Sequence, residues 1–429
     1  MIGPKRSRNC PVRKLFASLL IPLALLAGCG GSGGGGTTMT PPPPPPPTTA
    51  TAGPPNVESV VIDGGPTALT IPAINTAFVS VKICVHGTTN CQTVDHIEID
   101  TGSVGLRIVR SNSFTLTLPQ QFATDGVTPL AECLQFADGT SWGSLNLADI
   151  TLPVSTESAS NIMVHIIGDA SVGSPPAACT GNTENTVETF GANGILGVGP
   201  FINDCNSTGS CPSSGTSATY FTCTSATSCS ATTMPAANQV PNPVVQFAKH
   251  PDGTVDNNGV ILELPSVASG GTTNPTGGVL VFGIGTQSNN TQGGVTTLLM
   301  DTGGFISASL NGKSFPHSYL DSGSNAVFFT DSSLVVCQPP NNGFYCVGST
   351  SVSDSATLQG TDMTMLMAPF TIDDAVMQFN ANASATAFPN LAGPNPADPT
   401  SLDLGLSFFY GRNVYTGFET NPSGPYFAY

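Results

Sequence analysis

Asp100 and Asp321 are the two residues around which chemistry can be built. Asp100 ends an alternating apolar run within residues 97–107, IEIDTGSVGLR, and Asp321 does the same within residues 319–329, YLDSGSNAVFF. Each is followed by a hydroxyl residue, a glycine and a serine: Asp100-Thr101-Gly102-Ser103 and Asp321-Ser322-Gly323-Ser324. Two carboxylates held together suit the splitting of an amide by water. One, ionised, takes a proton from the water, while the other, protonated, donates to the carbonyl oxygen. Repulsion makes like residues differ: carboxylates about 3 Å apart cannot both ionise, so such a pair releases its two protons at well-separated pH values. Gly102 and Gly323 would let the backbone turn tightly against the carboxylates. A single Asp-Ser/Thr-Gly is an ordinary turn sequence. Two copies, each after a strand-like run, point to one carboxylate per half of the chain.

Other candidate groups are weaker. Asp301-Thr302-Gly303 repeats the short motif but continues with Gly304, and the hairpin-like FISASLNGKSFPHSYL separates it from Asp321. Asn311-Gly312 is read as the hairpin turn and Asp301 as a turn residue. Residues 139–143, GTSWG, fit a nucleophile elbow, but that device needs a helix after it, and SLNLADITLPV alternates as a strand. The histidines His86, His96, His165, His250 and His317 show no ligand spacing, so no metal is expected; His96 reads as an outer-face strand residue. Sugar hydrolysis would need carboxylates at least about 5 Å apart.

The elements that position these groups are short strands. Only 9% of the 429 residues are charged, and Gly, Pro, Ser and Thr are abundant, which favours a loop-rich all-β protein with more than one domain. Residues 242–250, NPVVQFAKH, are the best candidate for a short helix. Five of the eleven basic residues lie in the first fourteen positions and none of the 27 acids does, so the rest of the chain is strongly acidic. A nucleic-acid partner is excluded on that ground, since no basic patch remains to replace counterions.

Residues 1–29 read as a secretory signal: a basic start, then a 14-residue apolar run, LFASLLIPLALLAG, too short to span a bilayer. Its end, Leu26-Ala27-Gly28-Cys29, resembles the lipobox of bacterial lipoproteins. That resemblance implies a lipid on Cys29, and Gly30 in the next position favours the outer membrane. Residues 30–56 form a Gly/Thr/Pro-rich tether in which seven prolines would make a rod of about 20 Å. Ten cysteines remain beyond it, an even count that suits an oxidising compartment and up to five disulfides. Cys84 with Cys91 and Cys337 with Cys346 are plausible local pairs. Cys205, Cys211, Cys223 and Cys229 lie in a Ser/Thr/Gly insertion, where zinc is the weaker reading because no His is near.

Together these pieces resemble the pepsin-like aspartic proteases, and the layout is similar to that of uncharacterised bacterial lipoproteins. The order is a hairpin, the first Asp motif, a flap-like hairpin at residues 134–143 and Gly194-Ile195-Leu196-Gly197; then GVLVFGIG at 278–285, the second motif, and LDLGLSFFYGRNVYTGFE at 402–419. The resemblance implies a bilobal all-β double barrel, with lobes at 57–275 and 276–429 and a cleft between them. It implies that Asp100 and Asp321 are catalytic, that Thr101 and Ser322 bond across the lobes, and that Ser103 and Ser324 hold the outer carboxylate oxygens. Phe136, Asp138 and Gly139 would form the flap, with Phe136 where the family has Tyr. Arg107 stands where that Tyr's Trp partner would be. In the cleft it would lower nearby carboxylate pKa values or recognise a substrate carboxylate. Two functions remain open: an envelope-anchored endopeptidase, or an inactive lipoprotein that binds a peptide or envelope partner. Neither needs a cofactor; a monomer meeting a peptide or protein, with the membrane reached through Cys29, is expected.

Overall fold

The structure is a computed structural model that describes residues 55–205, 211 and 218–429. The expected signal, Cys29 and nearly all of the tether lie outside the described residues, as does part of the cysteine insertion.

The chain is mostly β, as expected. Short runs such as Phe78–Cys84, FVSVKIC, alternate inward Val and Ile with outward Lys and Ser, the pattern of a strand with one face in a core. Three sheets result. The first lobe is a nine-stranded sheet from strands between Phe78 and Ala231, and Thr140–Thr151 pairs with Ser158–Ile167 to close it into a barrel. The second lobe is a seven-stranded sheet between Ile306 and Leu404. Beneath both runs a six-stranded sheet ordered Val57–Val60, Gly278–Phe282, Gly259–Glu263, Asn413–Gly417, Tyr426–Ala428, Thr297–Leu299. Pro275, the expected end of the first lobe, falls between two strands of this third sheet that pair with each other. One apolar core, including Val81, Leu106, Leu262, Phe282, Phe329 and Phe427, continues through all three sheets.

Residues 242–250 form only a 3-10 turn at Val244–Gln246, because Phe247 is already extended. Asn311 and Gly312, both at positive φ, make the hairpin turn between Ile306–Leu310 and Lys313–Leu320. Among the described residues, five disulfides join Cys84–Cys91, Cys133–Cys179, Cys205–Cys211, Cys223–Cys229 and Cys337–Cys346. The first staples directly opposed residues of a hairpin. The four insertion cysteines are consumed in pairs, which leaves no thiolates for zinc.

Candidate active site

Each aspartate comes to its place through the same local device. Strand Cys91–Asp100 runs parallel to Gly194–Val198, with Asp100 opposite Gly197. Strand Lys313–Leu320 runs parallel to Asp403–Leu404, and the Asp321 N–H donates to Leu404 O at 3.1 Å. Just after each aspartate the chain turns back on its carboxylate. Gly102 N–H donates to Asp100 Oδ1 at 2.7 Å, and Gly323 N–H to Asp321 Oδ1 at 2.8 Å. Both glycines are required by close approach. A Cβ on Gly102 would lie 2.5 Å from Asp321 Cγ, and one on Gly323 would lie 2.7 Å from Asp100 Oδ1.

Four hydrogen bonds lock the two turns together. Thr101 N–H donates to Ser322 Oγ at 3.1 Å and Ser322 N–H to Thr101 Oγ1 at 2.9 Å. The hydroxyls pass their own protons onward, Thr101 to Leu320 O at 3.2 Å and Ser322 to Ile99 O at 2.8 Å. The carboxylates thus meet, 5% and 8% exposed: a Cβ on Gly323 would touch both, 2.7 Å from Asp100 Oδ1 and 3.2 Å from Asp321 Oδ1. Burial, then the charges of Asp100 and Asp403, push Asp321 well above the usual carboxylate range. This contact rules out the separated carboxylates of a sugar hydrolase.

The pair lies in a cleft of about 1020 Å³ between the lobes. Apolar side chains dominate its walls, among them Phe136, Phe190, Ile195, Phe305, Tyr319 and Phe427; Asp138, Glu184 and Asp398 are its other acids, and among the described residues no Lys, Arg or His lines it. The flap-like hairpin joins Leu130–Gln135 to Thr140–Thr151, and Phe136 N–H closes its tip on Gly139 O at 2.8 Å. Phe136 and Asp138 face the cleft, Phe136 packing edge-on against Phe190. Gly139 instead rests on residues 182–184, where a Cβ would lie 2.7 Å from Asn182 O.

A family model described as "Protein of unknown function (DUF3443)" matches residues 52–429. The chain belongs to that family. No curated protein matches it. Among solved structures, this DUF3443 chain is similar to the crystal structure of aspartic proteinase from Irpex lacteus, with 14% identity over 87% of this chain and 96% of that one, at a TM-score of 0.51. The likeness is one of fold, a pepsin-like double barrel.

Against that fold, two expected contacts of the DUF3443 chain change. Ser103 Oγ, buried, has no hydrogen-bond partner among the described residues, so it does not hold Asp100. Arg107 does not line the cleft. It is wholly buried in the first lobe, where its guanidinium donates to Glu132 Oε1 at 2.8 Å and approaches Asp204 at 3.4 Å. It also donates to Val104 O at 2.5 Å, bracing the backbone behind the first Asp loop. His165 Nδ1 lies 2.9 Å from Glu132 Oε2. A fully buried guanidinium must be paired, and its partners supplied no sequence pattern to read.

The remaining candidates take structural places. Asp301 caps its own turn, accepting from Gly303 and Phe305 N–H. Ser141 is buried in the flap strand, with strand on both sides. His96 is held between Asp63 and Asp95. Glu157, His250 and Asp256 bring three ligand-type atoms together, but each is engaged within the trio, His250 Nε2 lying 3.0 Å from both carboxylates.

Two residues that no motif marked also serve the site. Asn75, at φ 51°, reaches from the first lobe to donate to Asn325 O at 2.7 Å and Phe388 O at 2.8 Å, and it accepts from Tyr410 Oη at 3.0 Å. It ties the second Asp loop to the first lobe. Asp403 meets Ser324 beside Asp321. Its only sequence signal is a charge inside the apolar run LDLGL.

Proposed function

We propose that this DUF3443 protein is an aspartic endopeptidase. The observation that carries the reading is the contact of Asp100 with Asp321 at the floor of an apolar cleft, fixed by the reciprocal Thr101 and Ser322 bonds. Asp321, pushed up by burial, is the protonated partner that donates to the scissile carbonyl oxygen. Asp100 is the base that takes a proton from water as that water attacks the carbonyl carbon. In the collapse of the tetrahedral diol, a proton passes to the amide nitrogen, the C–N bond breaks, and an acid and an amine leave. The lining favours chains with apolar residues flanking the bond. The lipobox sequence supports attachment to the outer membrane through lipid on Cys29; palmitate labelling retained by Cys29→Ser would refute that.

The test is cleavage of a mixed peptide library from pH 3 to 7 by the full chain purified in detergent, beside Asp321→Asn. Loss of at least about 100-fold is expected from removing one acid–base partner. Equal cleavage by the variant would refute the reading. A second reading, peptide binding without turnover, is favoured by Phe136, which brings no hydroxyl to the cleft. Binding by both proteins and cleavage by neither would support it.

A further inference from the structure

Asp403 is a buried carboxylate beside the pair that the proposed chemistry leaves unused. It lies opposite Tyr319 in the parallel strand behind the second Asp loop, two residues before Gly405. In the first lobe the same place, two residues before Gly197, is held by Ile195, opposite Glu98. A buried strand threaded behind a loop should carry an apolar residue there, as the first lobe does. The second lobe buries a carboxylate completely, with 0% of Asp403 exposed.

The geometry around Ser324 gives that burial a consequence. Ser324 Oγ donates to Asp403 Oδ2 at 2.6 Å and lies 3.3 Å from Asp321 Oδ2. A hydroxyl has one proton to give, and the shorter, charge-assisted contact takes it. Toward Asp321 the oxygen then offers only a lone pair. That arrangement suits an Asp321 O–H donating to Ser324, and it withholds the donor that an ionised Asp321 would need.

We propose that Asp403 is a positioning residue of the aspartate pair: it draws the Ser324 hydroxyl to itself and so holds the shared proton on Asp321, leaving Asp100 as the base. The consequence for catalysis rests on the endopeptidase reading, but the place of the proton can be measured without turnover. Repulsion acts in the same direction, since the charge of Asp403 raises Asp321 further, after burial and Asp100. The strands packed on Asp403 set Tyr319 and Phe328 opposite it. Asp321, across the shared Ser324 hydroxyl, is the titratable group nearest to it on the site side, and Asp100 lies beyond that. Lys313 and His317, the basic groups of the neighbouring strand, are engaged by Thr330 O and Thr400 Oγ1.

The experiment is carbon NMR of aspartate carboxyls in the labelled full chain, titrated with and without Asp403→Asn. The Asp321 signal is assigned by its loss in Asp321→Asn. The expected result is a fall of the Asp321 midpoint by about one pH unit or more, with the alkaline limb of the cleavage profile moving down in step. An unchanged or raised midpoint in folded Asp403→Asn overturns the proposal. If the parent cleaves nothing yet the midpoint falls, the endopeptidase reading fails and the role of Asp403 stands. If cleavage is normal and the midpoint is unmoved, only Asp403 fails. Should Asp403→Asn not fold, Ser324→Ala decides by sign. Removing an acceptor lowers the Asp321 midpoint as proposed, whereas removing a donor would raise it and overturn the proposal.

Discussion

Seven residues beyond Asp100 the chain carries Arg107, and seven beyond Asp321 it carries Phe328. Both are buried behind their loops, yet one sits in an ionic network and the other in an apolar cluster with Phe344, Phe388 and Leu391. Pseudo-symmetry therefore demands that the space behind each loop be filled; it does not dictate the chemistry of the filling. The ionic filling works because its charges balance. Burial lowers His165 and pushes Asp204 well above the usual range, which favours the neutral form of each. Burial alone would also raise Glu132, but Arg107 and His165 hold it below the usual range. The network centres on one cation, Arg107, bonded to one anion, Glu132.

The largest difference between the two fillings should appear as stability against pH. Arg107→Met leaves Glu132 buried without its cation, at a cost of about 3–5 kcal/mol near neutral pH. Phe328→Ala opens a cavity of similar cost, about 3–5 kcal/mol. Only the first should depend on pH. In the parent, Glu132 titrates below its unfolded value of about 4.3, so its contribution is present above that pH and is lost as pH falls. Without Arg107, burial raises it instead, and stability is lost as pH rises past that value. Denaturant melts at pH 3.5 and 7 check this: a penalty for Arg107→Met that does not shrink in acid would break the comparison.

A smaller, symmetric effect is expected at the contact between the turns. Thr101→Val and Ser322→Ala each remove one hydroxyl that accepts from the opposite turn and donates to a strand end. Each should cost about 1–3 kcal/mol by leaving buried N–H and C=O groups unpaired. The double variant should cost less than the sum, because each hydroxyl satisfies groups on both turns. Strict additivity in urea melts would show that the turns are held independently.

The features legible in the sequence were those with a local signature. Asp100-Thr101-Gly102 and Asp321-Ser322-Gly323 announced themselves because close approach demands Gly after a hydroxyl residue, and that demand is written into adjacent positions. The hairpin at Asn311-Gly312 and the Cys84–Cys91 staple were readable for the same reason. Arg107 was visible, but its surroundings were not. Glu132, His165 and Asp204 come from three distant parts of the chain, and only the closed barrel brings them to it. Asn75 and Asp403 were missed on similar grounds, since their partners are set by the register between strands and by the meeting of the lobes.

The finest contrast lies in the two serines that end the motifs. Both are buried, yet Ser103 Oγ has no hydrogen-bond partner among the described residues, while Ser324 Oγ lies between two carboxylates. If the motifs were equivalent in chemistry as well as in position, alanine at either serine should shift the pH profile of cleavage alike. The geometry predicts otherwise. Ser103→Ala removes a hydroxyl that bonds to neither aspartate, so stability should change by no more than about 1 kcal/mol and both limbs of the profile should stay in place. Ser324→Ala removes the acceptor beside Asp321 and should draw the alkaline limb toward acid. Parallel pH–rate curves for the two variants measure this directly. Equal shifts would mean that Ser103 reaches Asp100 during turnover, and would overturn the asymmetry.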